Sequence, residues 1–169
     1  MANDAKFRVA FRRRREGRTD YKRRLGLLKS RKPRLVVRRT LTNVRVQLIG
    51  YEPKGDRVLA SADGRELAAL GLQGTSGKSV PSAYLTGLLA GKRAKDAGIA
   101  EAVLDLGRNV PAKGGRIFAA LQGVLDAGIE VPHDESVLPA EERVRGAHIE
   151  GFDSNQVDAV KNRILGGGQ

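Results

Sequence analysis

Twelve of the 23 residues from Arg12 to Arg34 are Arg or Lys. Self-repulsion at that density opposes packing the segment on itself unless an anion neutralises it. The charge is also unevenly shared. Residues 1–60 hold 19 of the 31 basic side chains and five acids, a net of +14, whereas residues 61–169 carry a net of −2. Nine acids against two Arg lie between Asp126 and Asp158. A solvated face is the ordinary reading of a charged run, but it does not account for so many cations in one stretch. A polyanion-binding arm joined to a globular body does. Arg outnumbers Lys 21 to 10, and a planar guanidinium binds phosphate bidentately and stacks on bases.

The 169 residues suffice for one domain with extensions. With no Cys, disulfides, thiolate zinc sites, iron–sulfur clusters and cysteine nucleophiles are excluded, and two His nearly exclude imidazole metal centres. Short apolar runs and an Arg-filled start predict neither a spanning helix nor a secretory signal, hence a soluble intracellular protein.

Residues 1–30 lack a sustained apolar face and read as an extended or partly helical arm, disordered until bound. Arg34–Arg39 reads as a strand begun after Pro33, and Thr40–Asn43 as a turn. Val44–Ile49 alternates as a half-buried strand, and a turn with Pro53 and Gly55 leads to a third strand, Arg57–Ser61. Glu66–Leu70 reads as a helical turn and Gly71–Gly77 as a glycine-rich loop. A long helix follows from Ser79 to Ala97, with Ser79 as cap, Tyr84, Leu85, Leu88 and Leu89 inward, and Gly98 as stop. Ala102–Leu106 reads as a buried strand, Gly115–Ala127 as a helix, Ile129–Val131 as a last strand and Asp153–Leu165 as a terminal helix. In that last helix Asp153 and Gln156 stand at capping-box spacing. The predicted fold class is α/β, a mixed five-stranded sheet with helices packed on it, in the element order of the ribonuclease-H-like architecture.

Enzymes of that architecture hold Mg²⁺ on clustered carboxylates that begin on the first strand. Here that strand offers Arg34, Arg38 and Arg39 and no acid, so the nuclease reading fails at its first ligand. Gly71–Ser79 ends in Gly77-Lys78-Ser79 like a phosphate-binding loop. However, the position that should hold the first glycine is Leu72, and no buried strand precedes it. Nucleotide or RNA processing through this loop stands as the alternative function, and Lys78 at a helix start can still hold an RNA phosphate. His133, Asp134, Glu135 and His148 lack the helical pairing of a metal site.

Five segments together resemble one family, the 5S-rRNA-binding large-subunit ribosomal proteins numbered eighteen, in archaeal form. They are Arg12–Tyr21 continuing to Arg24-Leu25 and Leu27–Ser30; Pro33–Arg38 with Asn43 and Gln47; and Ala83–Leu89. The fourth runs through Asp105–Gly107, Gly115–Leu121 and Asp126–His133, and the fifth is Glu141–Val144 with Gly146–Ile149. The chain departs from the family pattern at Lys78, where that pattern has asparagine. The resemblance implies a structural role in the central protuberance, holding 5S rRNA against the large-subunit rRNA near the protein numbered five. It implies no cofactor and no membrane.

The chain is accordingly read as a basic RNA-binding arm (1–30), an α/β domain (31–131) and an acidic extension with a terminal helix (132–169). The candidate RNA-binding residues on the arm and its exit are Arg12, Arg13, Arg14, Arg15, Arg18, Tyr21, Lys22, Arg23, Arg24, Lys29, Arg31 and Lys32. On the body they are Arg34, Arg38, Asn43, Arg45, Lys78, Lys92 and Arg93. Arg34 and Arg38 share a strand parity and Arg45 points outward beside them, which predicts a basic sheet face next to a basic arm. Few aromatics argue against a stacking platform, so recognition by shape and phosphate is expected.

Overall fold

Strand β1 (Arg34–Arg39) pairs antiparallel with β2 (Val44–Gly50), and β2 in turn with β3 (Arg57–Asp63). A computed structural model describes residues 7–166; the first six residues of the expected arm lie outside it. The chain leaves β3 through a short helix, α3 (Glu66–Ala69), and the long α4 (Val80–Asp96). It returns on the other side of β1 as β4 (Val103–Asp105), parallel to it. The sheet order is thus β3-β2-β1-β4.

Among the described residues four strands form rather than the expected five. Around Ile129–Val131 the chain makes one parallel bridge, Glu101 with Glu130, through Ala102 N donating to Glu130 O at 2.9 Å and Glu130 N to Ala100 O at 2.9 Å. Pro132 follows at once and brings no N–H to extend the ladder.

One face of the sheet carries Leu35, Val37, Val44, Val46, Leu48, Ala60 and Ala62 into the core. Helices α4 and α5 (Arg116–Asp126) cover that face. Ser79 caps α4 as expected, its hydroxyl accepting from Ser82 N at 3.2 Å. Gly98 and Gly128 end α4 and α5 in the left-handed region, where only glycine is unstrained. The two helices approach at backbone distance: a Cβ on Gly87 would lie 2.0 Å from Ala120 O, and one on Gly123 would lie 2.0 Å from Tyr84 O.

Beyond Pro132 a 3₁₀ turn (Glu135–Val137), α6 (Glu141–Val144) and α7 (Asn155–Gly166) fold back, and Val144, Val157, Val160 and Ile164 join the same core. Tyr84 on α4 donates to Asp126 at 2.6 Å, and Lys161 of α7 sits over the Tyr84 ring. Burial, together with that carboxylate, pushes the Tyr84 phenol well above its ordinary pKa. The expected capping box at Asp153 is half formed. Asp153 accepts from Asn155 N, but Gln156 turns away and accepts from Gln73 N at 3.0 Å, tying α7 to the glycine-rich loop.

Candidate nucleic-acid interface

The other face of the sheet is where the basic arm lies. Arg12–Arg15 form a single helical turn, α1, with all four side chains exposed. Glu16 pairs with Arg18 at 3.0 Å and, more loosely, with Arg12 at 3.7 Å. Asp20 then caps α2 (Tyr21–Leu28), accepting from Lys22 N and Arg23 N. The bond from the Arg23 amide is the main reason the Asp20 carboxyl is held below its usual range. Phe11 packs on Tyr21 with ring centroids 5.4 Å apart.

Three arginines fasten this arm to the body. Arg24 grips both oxygens of Asp56, at 2.7 and 2.8 Å, Arg23 donates to Gly107 O at 3.1 Å, and Arg108 of the body donates to Gly17 O. Asp56 also accepts from Arg34 at 2.6 Å, and Arg34 reaches Asp105 at 2.6 Å. The chain Arg24–Asp56–Arg34–Asp105 is electrically balanced and runs from the arm into the sheet.

Arg34 is therefore not on an exposed basic face. It is 3% exposed, with its guanidinium committed to two carboxylates. Strand parity correctly gave its side of the sheet, but that side is roofed here by the arm and the 51–56 loop. Lys92 and Arg93 are likewise engaged within the fold. Lys92 caps the end of α7 by donating to Ile164 O at 2.6 Å, and Arg93 joins Ser61 O to Glu66. Lys32 pairs with Glu101, whose hydrogen bond raises the lysine pKa. Asn43 closes the β1–β2 turn with Thr40 and packs against Gly77.

Arg38 and Arg45 stand directly opposite each other on β1 and β2. Arg45 has Asp63 at 2.9 Å, whereas no carboxylate pairs with Arg38 among the described residues. Desolvation, with Arg34 and Arg13 adding to it and Asp105 opposing, holds the Arg38 guanidinium below the ordinary arginine value. Lys22, Lys29, Arg31 and Lys78 are exposed, and Arg31 takes a left-handed backbone (φ 57°) where the chain leaves the arm. Arg108 and Tyr51, absent from the candidates named from sequence, also line this face. Arg108 is isolated from the basic run, and only its position after β4 could have marked it.

Several polar groups of the Gly71–Ser79 loop are in use, although the Lys78 side chain is exposed. Gly77 O accepts from Val44 N, Ser79 caps α4, and Gln73 N bonds Gln156. No group of three metal-ligating side chains occurs among the described residues, and no described helix is long and apolar enough to cross a membrane.

Residues 5–99 match the family described as "Ribosomal large subunit proteins 60S L5, and 50S L18". The chain belongs to this family. Members of it are structural proteins of the large ribosomal subunit rather than enzymes, and their place is the ribosome in the cytoplasm. The chain is 57% identical over 152 residues to "Large ribosomal subunit protein uL18" of Korarchaeum cryptofilum, covering 90% of this chain and 77% of the relative. It is 53% identical to the protein of that name from Methanococcus maripaludis, covering 97% and 86%, and 52% identical to that from Haloarcula marismortui, covering 90% and 81%. The archaeal matches thus extend well beyond residue 99, and that to the Methanococcus protein reaches α7. The alternative of an RNA- or nucleotide-processing enzyme is set aside.

Proposed function

We propose that this ribosomal protein binds 5S rRNA and helps attach it to the large-subunit rRNA in the central protuberance, beside the protein numbered five. The observation that carries this reading is the placement of the exposed Arg12–Arg15 turn and of Arg18 beside Arg38 on one side of the sheet. Such an array meets a phosphate backbone along its length and reads shape more than sequence. The arm supplies most of the affinity, the body sets the register, and the acidic extension faces protein or solvent, since its carboxylates would be repelled by RNA at close range.

The test is a salt titration of 5S rRNA binding by the intact chain and by a chain lacking residues 1–24. Each neutralised phosphate contributes about 0.7–0.9 to the slope of log affinity against log salt, so truncation is expected to flatten it by several units. An unchanged slope means that the arm does not touch 5S rRNA. The same titration with fragments of the large-subunit rRNA then shows whether it serves that RNA instead.

A further inference from the structure

Between α2, the open face of the sheet and the 51–56 loop lies a cleft of about 670 Å³. Its volume falls in the range of sites that enclose a small molecule, about 300–1,000 Å³. Its chemistry is graded. Val36 and Ile49 give an apolar floor, and the balanced Arg24–Asp56–Arg34–Asp105 set closes the deep end without net charge. Arg23 and Arg38 line it with cationic groups, and Tyr51 stands at the side, 59% exposed and without a ring or cation partner among the described residues.

Arg38 is the feature that needs an explanation. It faces Arg45 across the strand pair, a like-charge juxtaposition that destabilises a sheet. Arg45 is relieved by Asp63, but among the described residues Arg38 donates only to Val37 O at 3.3 Å. The guanidinium is packed against Gly107, where a Cβ would lie 2.8 Å from Nη1, so it cannot swing away on that side. A held, unneutralised cation in a concave site is complementary to a phosphate. An apolar floor with a free aromatic ring beside it is complementary to a nucleobase, since every base has a face that stacks.

We propose that this cleft receives a single unpaired nucleotide of an RNA strand, its phosphate on Arg38 and Arg23 and its base against Tyr51 and Ile49. The assignment deepens the RNA-binding reading and rests on it. It needs one aromatic for one base, which agrees with a chain too poor in aromatics for a stacking platform. A protein that otherwise reads shape and phosphate would thereby gain a fixed point of register on its RNA.

The experiment uses the full chain and two RNA duplexes, one fully paired and one identical but for a single unpaired 2-aminopurine. The native protein is expected to bind the second about tenfold more tightly and to quench its fluorescence, in keeping with the usual gain from stacking one base. Tyr51→Ala, at an exposed position where folding is insensitive, is expected to abolish the preference and the quenching while leaving affinity for the paired duplex unchanged; Tyr51→Phe keeps both. Arg38→Gln is expected to weaken the preference and to lower the salt slope by about one unit. Equal affinity for the two duplexes, or a preference that survives Tyr51→Ala, overturns the proposal. Micromolar, Tyr51-dependent binding of free GMP overturns the assignment to an RNA strand and makes the cleft a free-nucleotide site. Loss of salt-dependent binding to every RNA tried is a different result, which removes the underlying reading as well.

Discussion

Arg34 on β1 and Asp105 on β4 lie 2.6 Å apart on one face of a parallel strand pair, both nearly sealed from solvent. The guanidinium also reaches Asp56 of the 51–56 loop. Removing one member of a buried pair leaves the other charge uncompensated, a loss of about 3–5 kcal/mol. Arg34→Leu is therefore expected to lower the urea midpoint strongly, with Arg34→Leu/Asp105→Leu recovering part of the loss. The salt slope of RNA binding by folded Arg34→Leu should be unchanged, whereas loss of one phosphate contact would lower it by about 0.7–0.9. A stable Arg34→Leu variant with a clearly flatter slope would show that Arg34 meets phosphate after all.

Asp56 is shared by arm and body, which makes the docking of α2 sensitive to acid. Burial raises its pKa, but the bonds from Arg24 and the charge of Arg34 outweigh that and hold it below the ordinary value of 3.8. A carboxylate depressed in this way contributes stability that is fully present above its unfolded pKa. That stability is lost as the pH falls through the native value. Protection of the amides in residues 25–28, taken relative to their intrinsic exchange at each pH, is thus expected to fall below about pH 4. Asp56→Asn should show low protection at neutral pH and little further change. Identical acid profiles for the two proteins would sink the idea.

The contact between α4 and α5 admits no side chain at Gly87. Alanine there gains helix propensity of up to about 1 kcal/mol. It also sets a methyl against the backbone of Ala120, an obstacle that cannot rotate away. A net loss on the order of 3 kcal/mol is expected for Gly87→Ala, the upper end of ordinary overpacking. For a chain of this size the melting temperature should fall by about 2–4 °C per kcal/mol. Gly26→Ala is the control, because nothing lies within 4 Å of a Cβ on that residue of α2, and it should melt at or above the native temperature.

Lys92 caps α7 from α4, a bond between residues 72 positions apart. Lys92→Met should cost about 0.5–1.5 kcal/mol, the usual worth of one such hydrogen bond, and leave the RNA salt slope unaltered. A slope lower by one unit with unchanged stability would instead mark Lys92 as a phosphate contact.

The features legible in the residues alone are local and periodic. The alternation of Val44, Val46 and Leu48 specified a half-buried strand, Ser79 and Gly98 delimited the long helix, and the density of Arg from residue 12 onward required a polyanion partner. Each of these follows from neighbours within one turn or one pleat. The remainder came from contacts between distant stretches of chain. Arg34 read as an outward cation because its strand parity is correct, yet its carboxylate partners lie 22 and 71 residues away. The fifth strand dwindled to one bridge because a ladder needs a partner edge and a free N–H, and Pro132 removes the second. Gly87 and Gly123 carry no apolar signal at all; their role exists only where two helices cross. The cleft beside Arg38 likewise has walls from four separate stretches of chain. Burial and ion pairing are properties of surfaces brought together over long sequence distances, and no local pattern encodes them.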